Sequence, residues 1–433
     1  MEPLKSRIQL GTKATEAQTH APVLLHEEER LRHMYVIGQT GTGKTTLLKN
    51  MAVQDIQAGE GLVFIDPHGR EARDLLDYIP PERTRDVVYL NPADHTRAFG
   101  FNVLAPAPET ERDRITQDLV ATFRHLWADN WGARMDFILK NTIRALLDTP
   151  PSMHTTLLSV HLMFENSIYR ERVLQHVKNP AALKFWRFTF PGWSKTERST
   201  YTLPVINKTG QFLLSDTLRS IIGQAKSTID LSYIMDNRRI LIVDLDKSKI
   251  GADVTNMLGS LLMTALKLEV MHRADRPEEG GHIPCHCYLD EFHSFTTSSF
   301  AEALAEVRKY GFGMVLANQF LSQTIPEVRA AVFGNCGTFC AFRVGGQDAE
   351  TIEQHIHFRA SELVDLTRGE AGLRYTINQV PSTVRLRTPL LPPKRRHTRR
   401  PRIIRYSNSR YTTPIEVVDG RINKWLNNVQ ERY

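Results

Sequence analysis

The fold class predicted is α/β: a nucleotide-binding core with a mainly parallel sheet, carrying an inserted all-helical domain. Three observations carry this. Short apolar runs alternate with helical patterns from Met34 onward, a glycine-rich loop follows the first of those runs, and a long strand-free stretch separates the third run from the fourth. The expected strands are Met34 to Ile37, Leu62 to Asp66, Val87 to Leu90, Arg239 to Leu245, Cys285 to Leu289, Gly313 to Ala317 and Thr338 to Phe342. Between about Glu109 and Asp236 the apolar residues recur at helical spacing instead, as in Glu111 to Leu126 and Asp136 to Leu147. The chain is therefore divided into a first core part (1–104), an all-helical insertion (105–235), a second core part (236–392) and a basic tail ending in a helix (393–433).

Composition sets the bounds. At roughly 150 residues per domain, 433 residues suffice for two or three domains. The apolar share of 41% and charged share of 24% are those of ordinary globular chains. Met1 to Lys13 lacks the charged start and apolar stretch of a secretory signal. The longest apolar run, Met257 to Leu266, is about half of the ~20 residues a membrane helix needs. A cytoplasmic location without an integral membrane segment is expected, with any membrane association made through partners. Cys285, Cys287, Cys336 and Cys340 are too few and too late in the chain to form a disulfide framework, which fits a reducing compartment. The formal charge is +7, and Lys394 to Arg405 alone holds seven Lys or Arg with no acidic residue.

Gly38-Gln39-Thr40-Gly41-Thr42-Gly43-Lys44-Thr45 fits G-x-x-x-x-G-K-[ST] directly after an expected strand. A polyphosphate must be ringed by backbone N–H groups, and Gly38, Gly41 and Gly43 allow the tight curl that aims them inward. The helix expected to start near Thr45 and Thr46 adds the positive end of its dipole, Lys44 reaches the β and γ phosphates, and the Thr45 hydroxyl ligates Mg²⁺. ATP and Mg²⁺ are the expected ligands.

Asp290 and Glu291 end the run Cys285 to Leu289, at the carboxyl end of a buried strand, where α/β sheets assemble ligand sites. Asp290 is expected to hold the Mg²⁺ shell from its second side, and Glu291 to orient the water that attacks the γ-phosphate. Asp66, in Asp66-Pro67-His68-Gly69, also ends a strand, but the flanking Pro and Gly make a capped turn the better reading.

Several stretches together resemble the HerA/FtsK superfamily, in the branch of conjugative coupling proteins and their soluble relatives. They are Arg30-Leu31-Arg32-His33, Val63-Phe64-Ile65-Asp66-Pro67-His68-Gly69, Leu218-Arg219-Ser220-Ile221-Ile222-Gly223-Gln224, Leu289-Asp290-Glu291-Phe292, and Arg308-Lys309-Tyr310-Gly311 running into Leu316-Ala317-Asn318-Gln319. The resemblance spans most of the chain. It implies a RecA-like motor core, an all-helical insertion, a homo-hexameric ring and ATP-driven passage of DNA through a central channel. It also implies that Gln319 senses the γ-phosphate, that Arg308 is the arginine inserted into a neighbouring subunit's site, and that Arg32 lies near the phosphates, with Arg343 as the rival for the inserted arginine.

A phosphate polymer suits the positive charge. Lys394 to Arg402 would contact phosphates without reading bases, or else is a solvated linker. Lys247 and Lys249, in a loop expected after the strand ending at Leu245, would grip DNA in a ring channel, or else are merely exposed. A coupling protein would deliver DNA to a secretion channel. A HerA-like enzyme would instead act with a nuclease in repair or phage defence, and a third reading is an ATP-binding switch or scaffold that does not translocate. The cysteine spacings do not suit a zinc site, His68 and His293 carry no assignment, and Trp127, Trp131, Trp186 and Trp193 are expected to pack within the insertion.

Overall fold

The computed structural model describes residues 7–14, 21–276, 281–377, 380–394 and 398–430. Its strands are β1 (Arg7–Lys13), β2 (Pro22–His26), β3 (Met34–Ile37), β4 (Gly61–Asp66), β5 (Val87–Leu90), β6 (Arg97–Ala98), β7 (Ile240–Asp244), β8 (Cys285–Leu289), β9 (Phe312–Asn318), β10 (Thr338–Ala341), β11 (Glu370–Ile377), β12 (Val380–Arg387) and β13 (Thr413–Pro414). Eleven of them form one sheet in the order β2-β1-β12-β11-β10-β3-β9-β8-β4-β7-β5. From β10 to β5 every pairing is parallel, and these seven strands are the seven the sequence predicts. All seven are buried along their whole length, as strands covered on both faces must be, and so each reads as a continuous apolar run. The other four pair antiparallel and were not predicted.

The register decides where chemistry can gather. Ile37 pairs with both Ala341 and Asn318, and Leu289 with both Leu316 and Ile65, so the carboxyl ends of β10, β3, β9, β8 and β4 lie along one edge. The helix Lys44–Ala58 leaves that edge after β3 and packs Leu47, Leu48, Met51 and Ile56 into a core with Met34, Val36, Leu62, Phe64 and Tyr288. Each such side chain, fully buried, contributes about 1.5–3 kcal/mol. The helix stops at Gly59, whose left-handed φ of 85° lets its N–H return to the carbonyls of Asp55 and Ile56.

Contacts gather the chain into two compact units. The first holds the residues through Asn91, Leu231–Ser248 and Leu266–Ser407, and contains the eleven-stranded sheet. The second holds Pro92–Asp230, Lys249–Ala265 and the residues from Asn408 on. The second unit is helical, apart from the short pairing of β6 with β13. Trp127 stacks on Phe123 at 4.7 Å and meets Phe212 at 6.2 Å in its interior, and Trp186 is buried as well. Its longest helix within 105–235, Lys195–Leu214, is started by a reciprocal cap between Ser194 and Glu197. The tail from residue 393 is not a unit of its own: 398–407 belong to the first unit and the helix Ile415–Gln430 to the second.

Candidate functional site

The glycine-rich loop leaves β3 at Ile37 and enters the helix at Lys44. Gly43 has φ 130°, and a Cβ there would lie 2.9 Å from the Phe342 ring, so no other residue fits without displacing that ring. Gly41, at φ 78°, faces open space at the mouth of the loop. The loop is held from behind: Gln39 N–H donates to the Arg343 carbonyl (2.8 Å), and the Thr42 carbonyl accepts from Gly369 N–H (2.8 Å). Lys44 Nζ folds back to the carbonyls of Gly38 (2.6 Å) and Gln39 (3.2 Å). Burial lowers its pKa, while the charges of Asp290 and Glu291 oppose that. Gln39 and Thr40 are exposed, and Thr45 and Thr46 are half-buried in the first helical turn.

Two strands away, β8 delivers its acids to the same edge. The Thr45 hydroxyl donates to Asp290 Oδ2 at 2.7 Å, joining the loop to the acid pair across 245 positions. Burial pushes the Asp290 carboxyl up to about 6; the Thr45 hydroxyl opposes this, the Glu291 charge adds to it and Lys44 opposes it. Glu291 turns out of the strand line with φ 50°, a left-handed conformation uncommon for a residue with a side chain, and its N–H donates to Asp290 Oδ1 (3.1 Å). Gln319, the first residue after β9, completes the cluster. Its Nε2 donates to Glu291 Oε1 (2.6 Å), and its Oε1 accepts from the Thr40 hydroxyl (3.0 Å). One side chain thus touches both the loop and the acid pair. His293 Nδ1 lies 3.5 Å from Glu291 Oε2 without forming a hydrogen bond.

Lys44, Thr45, Asp290, Glu291, Gln319 and Thr40 are brought together, and other expected residues are not. Arg32 precedes β3, and its carbonyl accepts from Gly337 N–H (2.7 Å) just before β10. It therefore sits at the sheet edge opposite the loop, roughly 13 Å away along four residues of strand, so the backbone does not bring the arginine expected near the phosphates to the loop of its own chain. Arg308 lies exposed in the turn Val307–Tyr310 before β9, roughly 23 Å along that strand from Gln319. Arg343 is exposed on the loop side. Asp66 accepts from the N–H groups of His68, Glu71 and Ala72 at 2.8–3.0 Å, which is the capped turn expected. Lys247 and Lys249 are exposed on a short helix, Lys247–Ile250, not on a loop, because Asp246 Oδ1 accepts from Ser248 N–H (3.2 Å) and starts it. In the basic tail, Lys394 pairs with Asp74 and Asp77, and Arg400 with Asp77 at 2.6 Å, while Arg395, Arg396 and His397 lie outside the described residues.

Sequence reasoning missed Gln323, whose Nε2 is 3.5 Å from Glu291 Oε2. The only signal was a second Gln four positions after the first. It also missed a buried triad in which Arg30 and the Tyr288 hydroxyl both donate to Asp55, at 2.7 and 2.6 Å.

The residues present fit a bound Mg-nucleotide. Gly41 opens onto free space, Lys44 is parked on carbonyls it can leave, and a hydroxyl and a carboxylate already meet where a hard cation takes oxygen ligands. Among the described residues no helix is long and apolar enough to cross a membrane.

Comparison with known proteins agrees with this geometry. Residues 17–184 match the profile of the type IV secretion-system coupling protein DNA-binding domain. The type 4 coupling protein DotL of Legionella pneumophila is 22% identical over 352 residues, covering 67% of this chain and 44% of DotL, so the chain spans under half the length of that relative. The plasmid coupling protein TrwB in complex with ADP and Mg²⁺ superposes with a TM-score of 0.60 at 18% identity, covering 92% of this chain and 98% of that one. VirB4 of Thermoanaerobacter pseudethanolicus gives 0.54 at 16% identity, covering 89% and 96%. These likenesses establish the RecA-like P-loop fold. On fold, motif order and profile together, the chain is similar to the type IV secretion coupling proteins.

Proposed function

We propose that the chain is an ATP-hydrolysing motor that moves DNA as a ring, in a type IV secretion or conjugation system. The observation that carries this is the 2.7 Å bond between Thr45 and Asp290, which brings a phosphate-binding loop against a carboxylate pair with a strained, forward-turned glutamate. In this reading the loop from Gly38 to Thr46 cradles the triphosphate, Lys44 leaves its two carbonyls for the β and γ phosphates, and Thr45 with Asp290 holds Mg²⁺. The metal supplies charge neutralisation at the transferring phosphoryl group. Glu291 orients the attacking water, and Gln319 ties the state of the loop to the pose of Glu291.

Arg308 acts on the neighbouring subunit, since its own site lies at the far edge of the sheet. DNA is the track. Residues 167–214 carry eight Lys or Arg against two Glu, so the surplus charge is not confined to the tail, where Lys394 and Arg400 are engaged by acids of the same chain. Lys247 and Lys249, exposed on their short helix, are further contacts for phosphates. A secretion channel is the proposed partner, through which the ring would associate with a membrane, and a nuclease partner is the competing arrangement.

The test is ATP turnover with and without DNA. Wild type should hydrolyse ATP and be stimulated by DNA, with the stimulation falling in Lys247→Ala/Lys249→Ala. Lys44→Ala should lose turnover by about a hundredfold or more, and Glu291→Gln should retain bound ATP uncleaved. Full turnover in Lys44→Ala ends the reading. Turnover indifferent to DNA points to the non-translocating switch, and co-purification with a nuclease in place of channel components points to the other pathway.

A further inference from the structure

Gln323 has the best-defined side chain near the acid pair to which no role is attached. Its Oε1 accepts from two successive backbone N–H groups, Gln319 (2.8 Å) and Phe320 (3.1 Å). An amide oxygen with two N–H donors can only be an oxygen, so the orientation of the group is fixed and its NH₂ must point the other way, toward Glu291 Oε2 at 3.5 Å. The backbone around it is pinned on several sides. Leu321 N–H donates to Asp348 Oδ2 (3.1 Å), the Thr324 hydroxyl to the Leu321 carbonyl (2.8 Å), and Asn318 Nδ2 to the Phe320 carbonyl (2.8 Å), while Asn318 itself accepts from the buried Tyr35 hydroxyl (2.7 Å).

Gln319 and Gln323 therefore hold the two oxygens of one carboxylate in different ways. Gln319 has the short bond, but its other end is tied only to Thr40, an exposed residue of the loop that must rearrange around a phosphate. Gln323 has the long contact, but its other end is tied to rigid backbone. Moreover, while Gln319 donates to Glu291 Oε1 at 2.6 Å, that oxygen has one lone pair fewer for the attacking water and is a weaker acceptor.

We propose that Gln323 is a positioning residue for hydrolysis: when Gln319 turns to the nucleotide, Gln323 keeps Glu291 Oε2 and fixes the carboxylate with Oε1 directed at the attacking water. The other charged or titratable groups around Glu291 are Asp290 from the end of β8, Lys44 from the loop and His293 from the turn after β8, and none of them is a fixed amide donor to Oε2. The inference rests on the proposed ATPase reading. It adds that the second glutamine of the pair acts on turnover and not on nucleotide binding.

The experiment uses the full chain and two variants. Gln323→Glu keeps an acceptor for both N–H groups and replaces the donor toward Glu291 with a negative charge; Gln323→Met removes donor and acceptor without adding charge. ATP turnover is measured together with the affinity for a fluorescent ATP analogue and the thermal midpoint. Expected in both variants is a fall in kcat of about tenfold or more, with KM and analogue affinity within about twofold of wild type and, for Gln323→Glu, an unchanged thermal midpoint. Unchanged kcat in Gln323→Glu overturns the inference, as does a loss that comes with equally weakened nucleotide binding, since a structural role predicts that. Wild-type turnover abolished by Glu291→Gln but untouched by Gln323→Glu removes this inference alone, whereas a wild type without turnover removes the ATPase reading and this one with it.

Discussion

At Asp290 the fold holds a carboxylate where burial disfavours its charge. The sign of the effect is fixed by the raised pKa. An acid shifted from 3.8 to about 6 on folding favours the protonated folded state, so the stability it contributes is present at low pH and is lost as pH rises from about 4 through 6. Without metal at pH 8, Asp290→Asn, which keeps an oxygen for the Thr45 hydroxyl, should therefore raise stability, on the order of 2 kcal/mol. The gain should shrink as pH falls toward 4.5 and as Mg-nucleotide is added to wild type, while Mg-dependent turnover is lost at every pH. Thermal midpoints in EDTA at pH 8 and pH 5 check this, and a variant no more stable than wild type at pH 8 contradicts it. Asp290 and Glu291 were legible because they sit where a predicted strand ends, and Lys44 because it closes a contiguous loop motif; the chemistry of all three is local. Gln323 was not, because its meaning depends on backbone groups of a turn whose shape no spacing reveals.

Among elements, the helix Lys44–Ala58 is set against β8 by more than apolar packing. Asp55, eleven residues along that helix, accepts from Arg30 and from Tyr288, which is two residues before Asp290, and all three side chains are buried. Removing one partner of such a pair leaves an uncompensated buried charge, so Asp55→Ala should cost about 3–5 kcal/mol. Tyr288→Phe, which removes one hydrogen bond to the pair, should cost about 1 kcal/mol. Urea midpoints for the two variants measure this, and a cost for Asp55→Ala no larger than for Tyr288→Phe would remove the staple from the account. The same scale explains what the sequence did and did not disclose. The seven parallel strands are buried on both faces and announce themselves as apolar runs. In β12, Val380-Pro381-Ser382-Thr383-Val384-Arg385-Leu386-Arg387, only Leu386 is fully buried; β2 is buried on alternate residues, and β1 alternates until its register slips at Gly11. The pairs β1–β2 and β11–β12 are local, but they join one another through residues more than three hundred positions apart, Thr12 with Arg387, and a weak alternation gives no sight of that.

For the whole molecule, the parallel sheet has two unlike edges. The loop, Asp290, Glu291 and Gln319 occupy the carboxyl edge, and Arg308 and Arg32 precede the strands at the amino edge. In the proposed ring, a head-to-tail interface that set the amino edge of one subunit against the carboxyl edge of the next would bring an arginine remote from its own site to its neighbour's. Arg343, on the loop side, has no such reason to act in trans. The distinction can be read by mixing two inactive variants. Arg308→Ala keeps an intact loop and Lys44→Ala keeps an intact arginine, so a site formed by the first beside the second has every part. Each variant alone should show turnover reduced by about a thousandfold, with Arg308→Ala still binding ATP normally. Co-assembled in equal amounts, they should recover about a quarter of wild-type turnover, the share of interfaces with the productive pairing in a randomly mixed ring. Arg343→Ala mixed with Lys44→Ala should recover none if Arg343 serves its own subunit. A mixture of Arg308→Ala and Lys44→Ala that stays inactive after proven co-assembly removes Arg308 from the neighbouring site, and with it the reason for hydrolysis to depend on the ring.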